Sequence, residues 1–157
     1  MEGDNLTDGR RVFVNYGPNA ISIKDLYSPD LKFGDDDNME SCGVEMTVLT
    51  TYVYRPDPLL EFLLDGSTPV TVFRNPYGKD TDACWDEVTH RIVQPDNRLG
   101  FGCYHPKLFL IKFKNGVLWV AITSSNLIYE DWYEIGQVIW LMDFHHKTEP
   151  NESEFEQ

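Results

Sequence analysis

The sequence predicts an α/β fold in which one mixed β-sheet is flanked by helices, and three observations favour it. The chain has 157 residues, which suffice for one domain with a hydrophobic core but not for two. Hydrophobic residues make up 41% of the chain and aromatic residues 13%, a composition that is not typical of disordered proteins. Strand and helix patterns alternate along the chain, as in layered α/β proteins. We expect the domain at residues 20–147, between a loosely ordered segment at 1–19 and an acidic tail at 148–157.

Three elements are predicted in the first third of the chain: a short strand, a helical turn and a core strand. Within the loosely ordered segment, Val12–Val14 has the composition of a short strand. Ser22 then precedes a single helical turn at Ile23–Tyr27. Val44–Tyr54 is rich in β-branched and aromatic residues, which is typical of a buried strand.

The next strand is predicted between two helices. Asp57 is suited to cap a helix at Pro58–Leu64, whose leucines and phenylalanine form an apolar face. A second core strand is predicted at Pro69–Phe73 and a short helix at Ala83–Val88. Arg91–Val93 is predicted to be a weak strand at the edge of the sheet.

The last third of the chain contains three more predicted strands. They are placed at Lys107–Phe113, Val117–Thr123 and Gln137–Met142. A short helix, Leu127–Trp132, is predicted between the second and the third. This part of the chain therefore predicts a hairpin, a helix and a returning strand.

The hairpin turn is predicted at Asn115–Gly116, a pair that favours two-residue turns with positive φ at both positions. In the register that such a turn sets, Lys107 faces Ser124 and His105 faces Asn126. Facing residues lie on one side of a sheet with Cβ atoms about 5 Å apart. A three-residue loop with a bulge would shift this pairing by one residue.

An anion pocket is predicted where these residues meet. Ser124, Ser125 and Asn126 immediately precede the predicted helix Leu127–Trp132, and the unpaired N–H groups at a helix start bind phosphate readily. Together with His105 and its neighbouring lysine, these groups indicate a site for a phosphate ester. Taken singly, each residue type has an ordinary structural role, so the interpretation depends on their combined placement.

The residue types suit phosphoryl transfer that needs no metal and no cofactor. A neutral His105 can attack phosphorus and form a covalent intermediate, which divides one difficult displacement into two easier ones. Lys107 and Asn126 can hold the non-bridging oxygens, whose charge rises in the transition state. We therefore expect these three residues to be the catalytic ones, with Ser124 and Ser125 binding substrate.

The motif also resembles a known family. His105-Pro106-Lys107, an apolar strand, a turn, Ser124–Ile128 and Asp131-Trp132 resemble the first His-x-Lys…Asn motif of the tyrosyl-DNA phosphodiesterases. These enzymes belong to the phospholipase D superfamily. The similarity extends from Ile23–Pro29 to Ile139–Leu141, and it covers only the N-terminal half of the family's enzymes.

The resemblance implies a fold, a function and a set of partners. It implies a phospholipase D-like half that hydrolyses 3′-phosphotyrosyl bonds left by stalled topoisomerase I, and other blocked 3′ ends, during DNA repair in the nucleus. His105 corresponds to the nucleophile, and Lys107 and Asn126 to phosphate ligands. Phe101 corresponds to an aromatic residue that packs on DNA, although simple core packing suits it equally. The implied partners are single-stranded or nicked DNA 3′ ends and the topoisomerase-derived tyrosyl peptide.

The family's active site needs a second His-x-Lys…Asn motif. No other histidine in the sequence is followed by the rest of such a motif. His145-His146-Lys147 has the spacing, but no strand, turn and asparagine can follow it, and His90 is followed two positions later by Ile92. Three explanations are open. The chain is a fragment of a longer enzyme, or it forms a homodimer in which two copies of His105 meet. Alternatively, it is a short paralogue that binds DNA ends or proteins without cleaving.

Charge and its distribution point in opposite directions. The net charge is -13, which argues against a nucleic-acid-binding protein. The window Asn97–Tyr129, however, contains no acidic residue. It holds four cations: Arg98, Lys107, Lys112 and Lys114. A positive window in an acidic chain predicts a local anion site, whereas the acidic runs are most simply solubilising.

The cysteines and the apolar segments exclude other classes. Cys42, Cys84 and Cys103 are odd in number and lack the spacing of a zinc site, so reduced thiols are expected. No segment approaches the roughly 18 apolar residues of a membrane span. The acidic start of the chain is unlike a secretory signal. We therefore expect an intracellular protein that does not contact membranes.

Overall fold

The structure is a computed structural model that describes residues 4–5, 11–17, 20–27, 43–55, 68–75, 90–95 and 102–145. Within these ranges the backbone forms one eight-stranded sheet, a 3₁₀ turn at Lys24–Tyr27 and a short α-helix, α1, at Tyr129–Tyr133. The strands are β1 (Asp4–Asn5), β2 (Arg11–Val14), β3 (Val44–Thr51), β4 (Val70–Arg74), β5 (His90–Val93), β6 (Leu108–Phe113), β7 (Leu118–Thr123) and β8 (Val138–Phe144).

The sheet is mixed, as predicted. Its strand order is β1-β2-β8-β7-β6-β3-β4-β5. The β3–β4 and β4–β5 pairs are parallel and the other pairs are antiparallel. Each strand predicted from the sequence has a counterpart among β2 to β8, and β5 lies at the edge of the sheet as expected. Only the two-residue β1 was not predicted, and the domain limits stay a prediction.

One face of the sheet carries the hydrophobic core. Alternate residues of β6 and β7, among them Phe109 and Trp119, are fully buried there because side chains alternate between the faces of a strand. Ile23 and Leu26 of the 3₁₀ turn region and Trp132 of α1 cover this face. Burial of each such side chain contributes about 1.5–3 kcal/mol.

The opposite face of the sheet is apolar but incompletely covered. Ile122 of β7 is 53% exposed and Val138 of β8 is 51% exposed. Val12 and Trp140 are paired neighbours on β2 and β8, and Ile122 lies directly across from Trp140. An exposed apolar row that crosses several strands is unusual on a free surface and often marks a contact site.

Helices contribute little to the described part of the fold. The helix predicted at Leu127–Trp132 is present as α1, which starts two residues later after an extended Ile128 that provides no side-chain cap. The helices predicted at Pro58–Leu64 and Ala83–Val88 lie outside the described residues. The flanking of the sheet by helices, which the sequence predicts, therefore remains a prediction.

The hairpin between β6 and β7 differs from the prediction by one residue. Gly116 has a φ of 89°, whereas no residue other than glycine has a positive φ within the described ranges, so Asn115 does not adopt the predicted conformation. The Phe113 N–H donates to Val117 O at 2.9 Å, which closes a three-residue loop. The predicted two-residue turn and its register are therefore wrong.

Two physical causes favour the observed register. The Val117 N–H donates to the side-chain oxygen of Asn115 at 3.1 Å, which stabilises a tight loop with a glycine bulge. Core packing acts in the same direction. In the observed register Phe109 pairs with buried Ala121, whereas the predicted one would pair it with exposed Ile122. A slip of one residue would exchange the two faces of the strand.

Candidate active site

The shifted register changes which residues face each other at the start of β6. The Thr123 N–H donates to Lys107 O at 3.1 Å, so Lys107 lies opposite Thr123 and not opposite Ser124. The predicted pairing of His105 with Asn126 fails for the same reason. Lys107 lies on the core-facing side of the sheet, and its side chain is 9% exposed.

His105 and Lys107 are nevertheless brought into direct contact. Lys107 Nζ lies 3.0 Å from His105 Nδ1 and 3.3 Å from Nε2. Because an ammonium can only donate, a ring nitrogen that accepts from it must be unprotonated. The Tyr52 ring packs against the exposed imidazole with 4.8 Å between centroids. The pair thus combines a nitrogen lone pair with a positive charge.

Two opposing effects act on the pKa of Lys107. Burial lowers the pKa of Lys107 because the buried ammonium loses hydration. The negative charge of Asp131 and, to a smaller extent, the nearby Cys103 act in the opposite direction and raise it. The net effect is a pKa below that of an ordinary lysine, with Asp131 as the main group that stabilises the charged form.

The backbone that carries the histidine is fixed by the ends of two neighbouring strands. The Tyr104 N–H donates to the side-chain oxygen of Asn75, just after β4, at 2.8 Å. The Leu108 N–H donates to the hydroxyl of Thr50 in β3 at 2.8 Å. Both acceptors are buried, so these bonds hold the residues on either side of His105.

Asn126 is fixed by its own set of contacts. Its backbone N–H and its Nδ2 both donate to Asp131 Oδ2, at 2.6 and 2.8 Å. Its Oδ1 accepts from the Val53 N–H at 3.2 Å, and its backbone carbonyl accepts from Trp132 Nε1 at 2.9 Å. Among the described contacts, none joins Asn126 directly to His105 or Lys107. The link between the two groups is Asp131, which acts on Lys107 electrostatically.

The end of β3 positions the asparagine segment. The Leu127 N–H donates to Thr51 Oγ1 at 3.0 Å and to Val53 O at 3.2 Å. Leu127 O in turn accepts from the Arg55 N–H at 2.8 Å, and Tyr54 and Leu127 form a parallel bridge. Hydrogen bonds therefore join the segment after β7 to the segment after β3. They place Asn126 at the edge of the sheet where β3 and β7 end and β6 begins, which is where Lys107 lies.

The two serines occupy different environments. The Ser124 hydroxyl donates to the Gln137 side-chain oxygen and accepts from the Val138 N–H at 3.0 Å, so it is engaged next to β8. Ser125 is 1% exposed, and its hydroxyl has no hydrogen-bond partner within the part of the chain that the structure describes. Of the two serines, Ser125 is the buried one whose hydroxyl has no acceptor or donor in the described chain.

The segment before α1 has little free N–H capacity, and the predicted anion site at the helix start stays a prediction. The backbone N–H groups of residues 124–127 are all engaged. Ser124 N donates to Val138 O, and Ser125 N donates to Thr123 Oγ1. As described above, Asn126 N donates to Asp131, and Leu127 N donates to Thr51 and Val53. The helix itself has five residues. The backbone N–H groups of residues 124–127 are therefore not free to bind a phosphate.

The predicted positive window also disperses in three dimensions. Lys112 forms a salt bridge with Glu45 at 3.0 Å, and Lys114 lies in the hairpin loop at the opposite edge of the sheet. Arg98 and Phe101 lie outside the described residues. Of the described cations in the window, only Lys107 lies beside His105. The grouping of charges along the sequence did not predict their grouping in space.

His145 lies far from this edge. It follows the last residue of β8, which pairs with Leu118 next to the hairpin loop, and its Nε2 contacts Asp143 at 2.8 Å. The side chains of His90, His146 and Lys147 lie outside the described residues. His145 therefore does not bring a second imidazole to His105 within the described chain.

Sequence reasoning missed three residues that shape the site. Tyr52 packs on the imidazole, Asn75 anchors the preceding peptide, and Asp131 orients Asn126. Tyr52 and Asn75 follow strands that are distant in sequence, so no local pattern reveals them. Asp131 gave a signal, because an acidic residue in the first turn of a helix commonly accepts from N–H groups just before it.

The described sheet defines the class of fold to which this chain belongs, the phospholipase D-like fold. Yeast tyrosyl-DNA phosphodiesterase is similar over 85% of this chain and 32% of its own, with a TM-score of 0.56 and 17% identity. A phospholipase D family member, Nuc from Salmonella typhimurium, is similar over 85% of this chain and 82% of its own, with a TM-score of 0.53 and 14% identity. At these identities the likeness concerns the fold alone.

The family follows from the sequence match. The family model described as tyrosyl-DNA phosphodiesterase matches residues 17–157. This chain belongs to the tyrosyl-DNA phosphodiesterase family, and the resemblance seen in its motif is confirmed. The chain spans about a third of the length of the yeast enzyme, 32% of it. Among the helices in the described ranges, none is long and apolar enough to cross a membrane.

Proposed function

We propose that this chain supplies one half of a phosphodiesterase active site that hydrolyses 3′-phosphotyrosyl and other blocked 3′ DNA ends in nuclear DNA repair. The observation that carries the proposal is the contact between the Lys107 ammonium and the exposed His105 imidazole, 3.0 Å apart, in a member of this family. Its partners are DNA 3′ ends, single-stranded or nicked, and the tyrosyl peptide derived from topoisomerase I.

His105 acts as the nucleophile in this proposal. Its ring nitrogen attacks phosphorus, the bond to the tyrosyl oxygen breaks, and a phosphohistidine that carries the DNA 3′ end forms. The leaving oxygen takes a proton from an acid that the second motif provides. Water then attacks the phosphohistidine, gives its proton to the same group, and releases a 3′-phosphate together with free His105.

Side chains stabilise the phosphoryl oxygens. Lys107 carries the positive charge, and Asn126 has one amide hydrogen left after its bond to Asp131. The buried Ser125 hydroxyl, which has no partner in the described chain, is a further donor on this side of the sheet. A preorganised donor aimed at developing charge contributes on the order of 3 kcal/mol to the transition state.

The second motif comes from another half or from a partner chain. The exposed apolar row on the far face of the sheet, with Ile122 and Val138, supports a need for further protein contact. A homodimer would provide a second His105 by symmetry. A separate second half would provide a different histidine.

Turnover kinetics test the proposal. The chain is incubated in EDTA, alone and with added second-half protein from a family enzyme, with an oligonucleotide that ends in a 3′-phosphotyrosyl group, beside the His105→Ala and His145→Ala variants. We expect hydrolysis that is lost in His105→Ala and retained in His145→Ala, because His145 lies at the opposite edge. A rate that rises with the square of chain concentration identifies a homodimeric site. Equal activity in the wild type and His105→Ala would refute the proposed nucleophile.

A second candidate is a catalytically inactive short paralogue that binds DNA ends or a protein. The net charge of -13 and the dispersal of the predicted cations favour it. This candidate predicts binding of the same oligonucleotide without turnover at any chain concentration, including in the presence of added second-half protein from a family enzyme. Turnover under either condition excludes it.

A further inference from the structure

We infer that Asp131 is a positioning residue of this site: its carboxylate fixes the Asn126 amide so that one amide hydrogen stays available as a donor. The inference rests on the proposed function in one respect, because it takes Asn126 and Lys107 as the groups that hold phosphate. Asp131 itself does not touch substrate. It acts through the two residues that do.

The orientation of the Asn126 amide is determined from both sides. A carboxylate oxygen can only accept, so the group that faces Asp131 must be the amide nitrogen. The Val53 N–H can only donate, so the group that faces it must be the amide oxygen. A flipped amide would place oxygen against oxygen and N–H against N–H. The remaining amide hydrogen therefore points away from both partners as a donor.

The position of Asp131 is itself fixed. Its side chain is 7% exposed, and Oδ2 accepts two hydrogen bonds from the same asparagine. Its backbone carbonyl accepts from Asn15 Nδ2 at 2.8 Å, and the same amide nitrogen also donates to the carbonyls of Trp132 and Ile135. Asn15 thus anchors the end of α1 to the sheet and holds the carboxylate in place.

The same carboxylate acts on Lys107 without a salt bridge in the described chain. Of the titratable groups near that ammonium, His105 touches it. Asp131 and, to a smaller extent, Cys103 raise the pKa of Lys107 against the effect of burial. Removing the Asp131 carboxylate therefore lowers the pKa of Lys107 further, because less opposes the effect of desolvation.

A neighbouring acid provides a matched control. Glu130 precedes Asp131 in α1, carries the same charge and pairs with Arg55 at 3.3 Å on the surface, where 65% of the Arg55 side chain is exposed. Glu130→Gln removes one negative charge from the same helical turn without disturbing Asn126. Any effect specific to position 131 must exceed the effect of this variant.

The test is an NMR titration of the Lys107 side-chain ammonium in the whole chain, for the wild type, Asp131→Asn and Glu130→Gln. We expect a Lys107 pKa in Asp131→Asn that is lower than in the wild type, and no change in Glu130→Gln. The Asn126 side-chain N–H signals should also lose their protection from solvent exchange in Asp131→Ala. These measurements need no catalytic activity, so they stay informative if the proposed hydrolysis fails.

Binding provides the second arm of the test. We expect Asp131→Ala to bind the 3′-phosphotyrosyl oligonucleotide roughly tenfold more weakly than Glu130→Gln, which is the loss of one charge-assisted hydrogen bond. A melting temperature measured for each variant separates this loss from unfolding. If Asp131→Ala lowers the melting temperature but leaves the Asn126 exchange unchanged, and Asp131→Asn leaves the Lys107 pKa unchanged, Asp131 is a structural residue only and the inference is wrong.

Discussion

At the scale of single residues, the site depends on a lysine that is both buried and charged. Lys107 must carry its proton to hold phosphoryl oxygens, and burial lowers its pKa. We therefore expect binding of the 3′-phosphotyrosyl oligonucleotide to be constant near neutral pH. It should decline at a lower alkaline pH than an ordinary lysine would allow.

Lys107→Arg provides the comparison, because a guanidinium keeps its charge throughout this range. Affinity is measured by fluorescence anisotropy across the alkaline range for both proteins. The decline should move to higher pH in the arginine variant, even if its affinity is weaker. An identical decline in both proteins would show that another group titrates.

A second residue-scale prediction concerns Ser125. Its buried hydroxyl lacks a partner in the described chain, and burial of an unsatisfied hydroxyl costs about 1–3 kcal/mol. Ser125→Ala should therefore raise the free energy of unfolding in urea, by up to about 1 kcal/mol. Because Ser125 is proposed as a phosphate ligand, the variant should also weaken oligonucleotide binding. A loss of stability in this variant would mean that the hydroxyl has a structural bond.

The residue types of the site could be predicted from the sequence, but their contacts could be predicted only in part. His105 and Lys107 are two residues apart in the segment that leads into β6, so the sequence predicts that they lie near each other. Asn126 meets Lys107 only through Asp131, because the order of contacts depends on how α1 packs. Tertiary packing of this kind leaves no signal in a local pattern.

At the scale of elements, the hairpin shows why strand positions are easier to predict than register. The apolar runs locate β6 and β7 to within a residue. The register depends on whether one or two residues of the turn take a positive φ, and Asn115 is compatible with both turns. The hydrogen bond from the Val117 N–H to the Asn115 side chain and the burial of Phe109 beside Ala121 decide between them.

Two substitutions test this turn. Gly116→Ala should lower the free energy of unfolding by about 1–2 kcal/mol, because φ is 89° there. Asn115→Ala loses one hydrogen bond to Val117 and should cost less, about 1 kcal/mol. Urea unfolding measures both. A larger loss for Asn115→Ala than for Gly116→Ala would favour the two-residue turn with positive φ at both positions.

At the scale of the whole molecule, the strong negative charge limits how the chain binds DNA. The net charge is -13, and Lys112 is occupied by Glu45. We expect few phosphate contacts, so the logarithm of the single-strand affinity should fall with the logarithm of salt concentration at a slope of about -1 to -2. Affinities measured between about 50 and 200 mM salt give this slope. A slope several times steeper would indicate an extended basic groove.

The central claim is that the His105 imidazole attacks phosphorus, and it can be separated from the need for a second motif. A DNA 3′-phosphodiester of 4-nitrophenol has a leaving group that needs little help from an acid, so one motif should suffice for the first step. We predict one equivalent of released nitrophenolate per chain and a DNA adduct that mass spectrometry locates at His105, both absent in His105→Ala. An adduct at another residue, or no release from the intact chain, would contradict the claim.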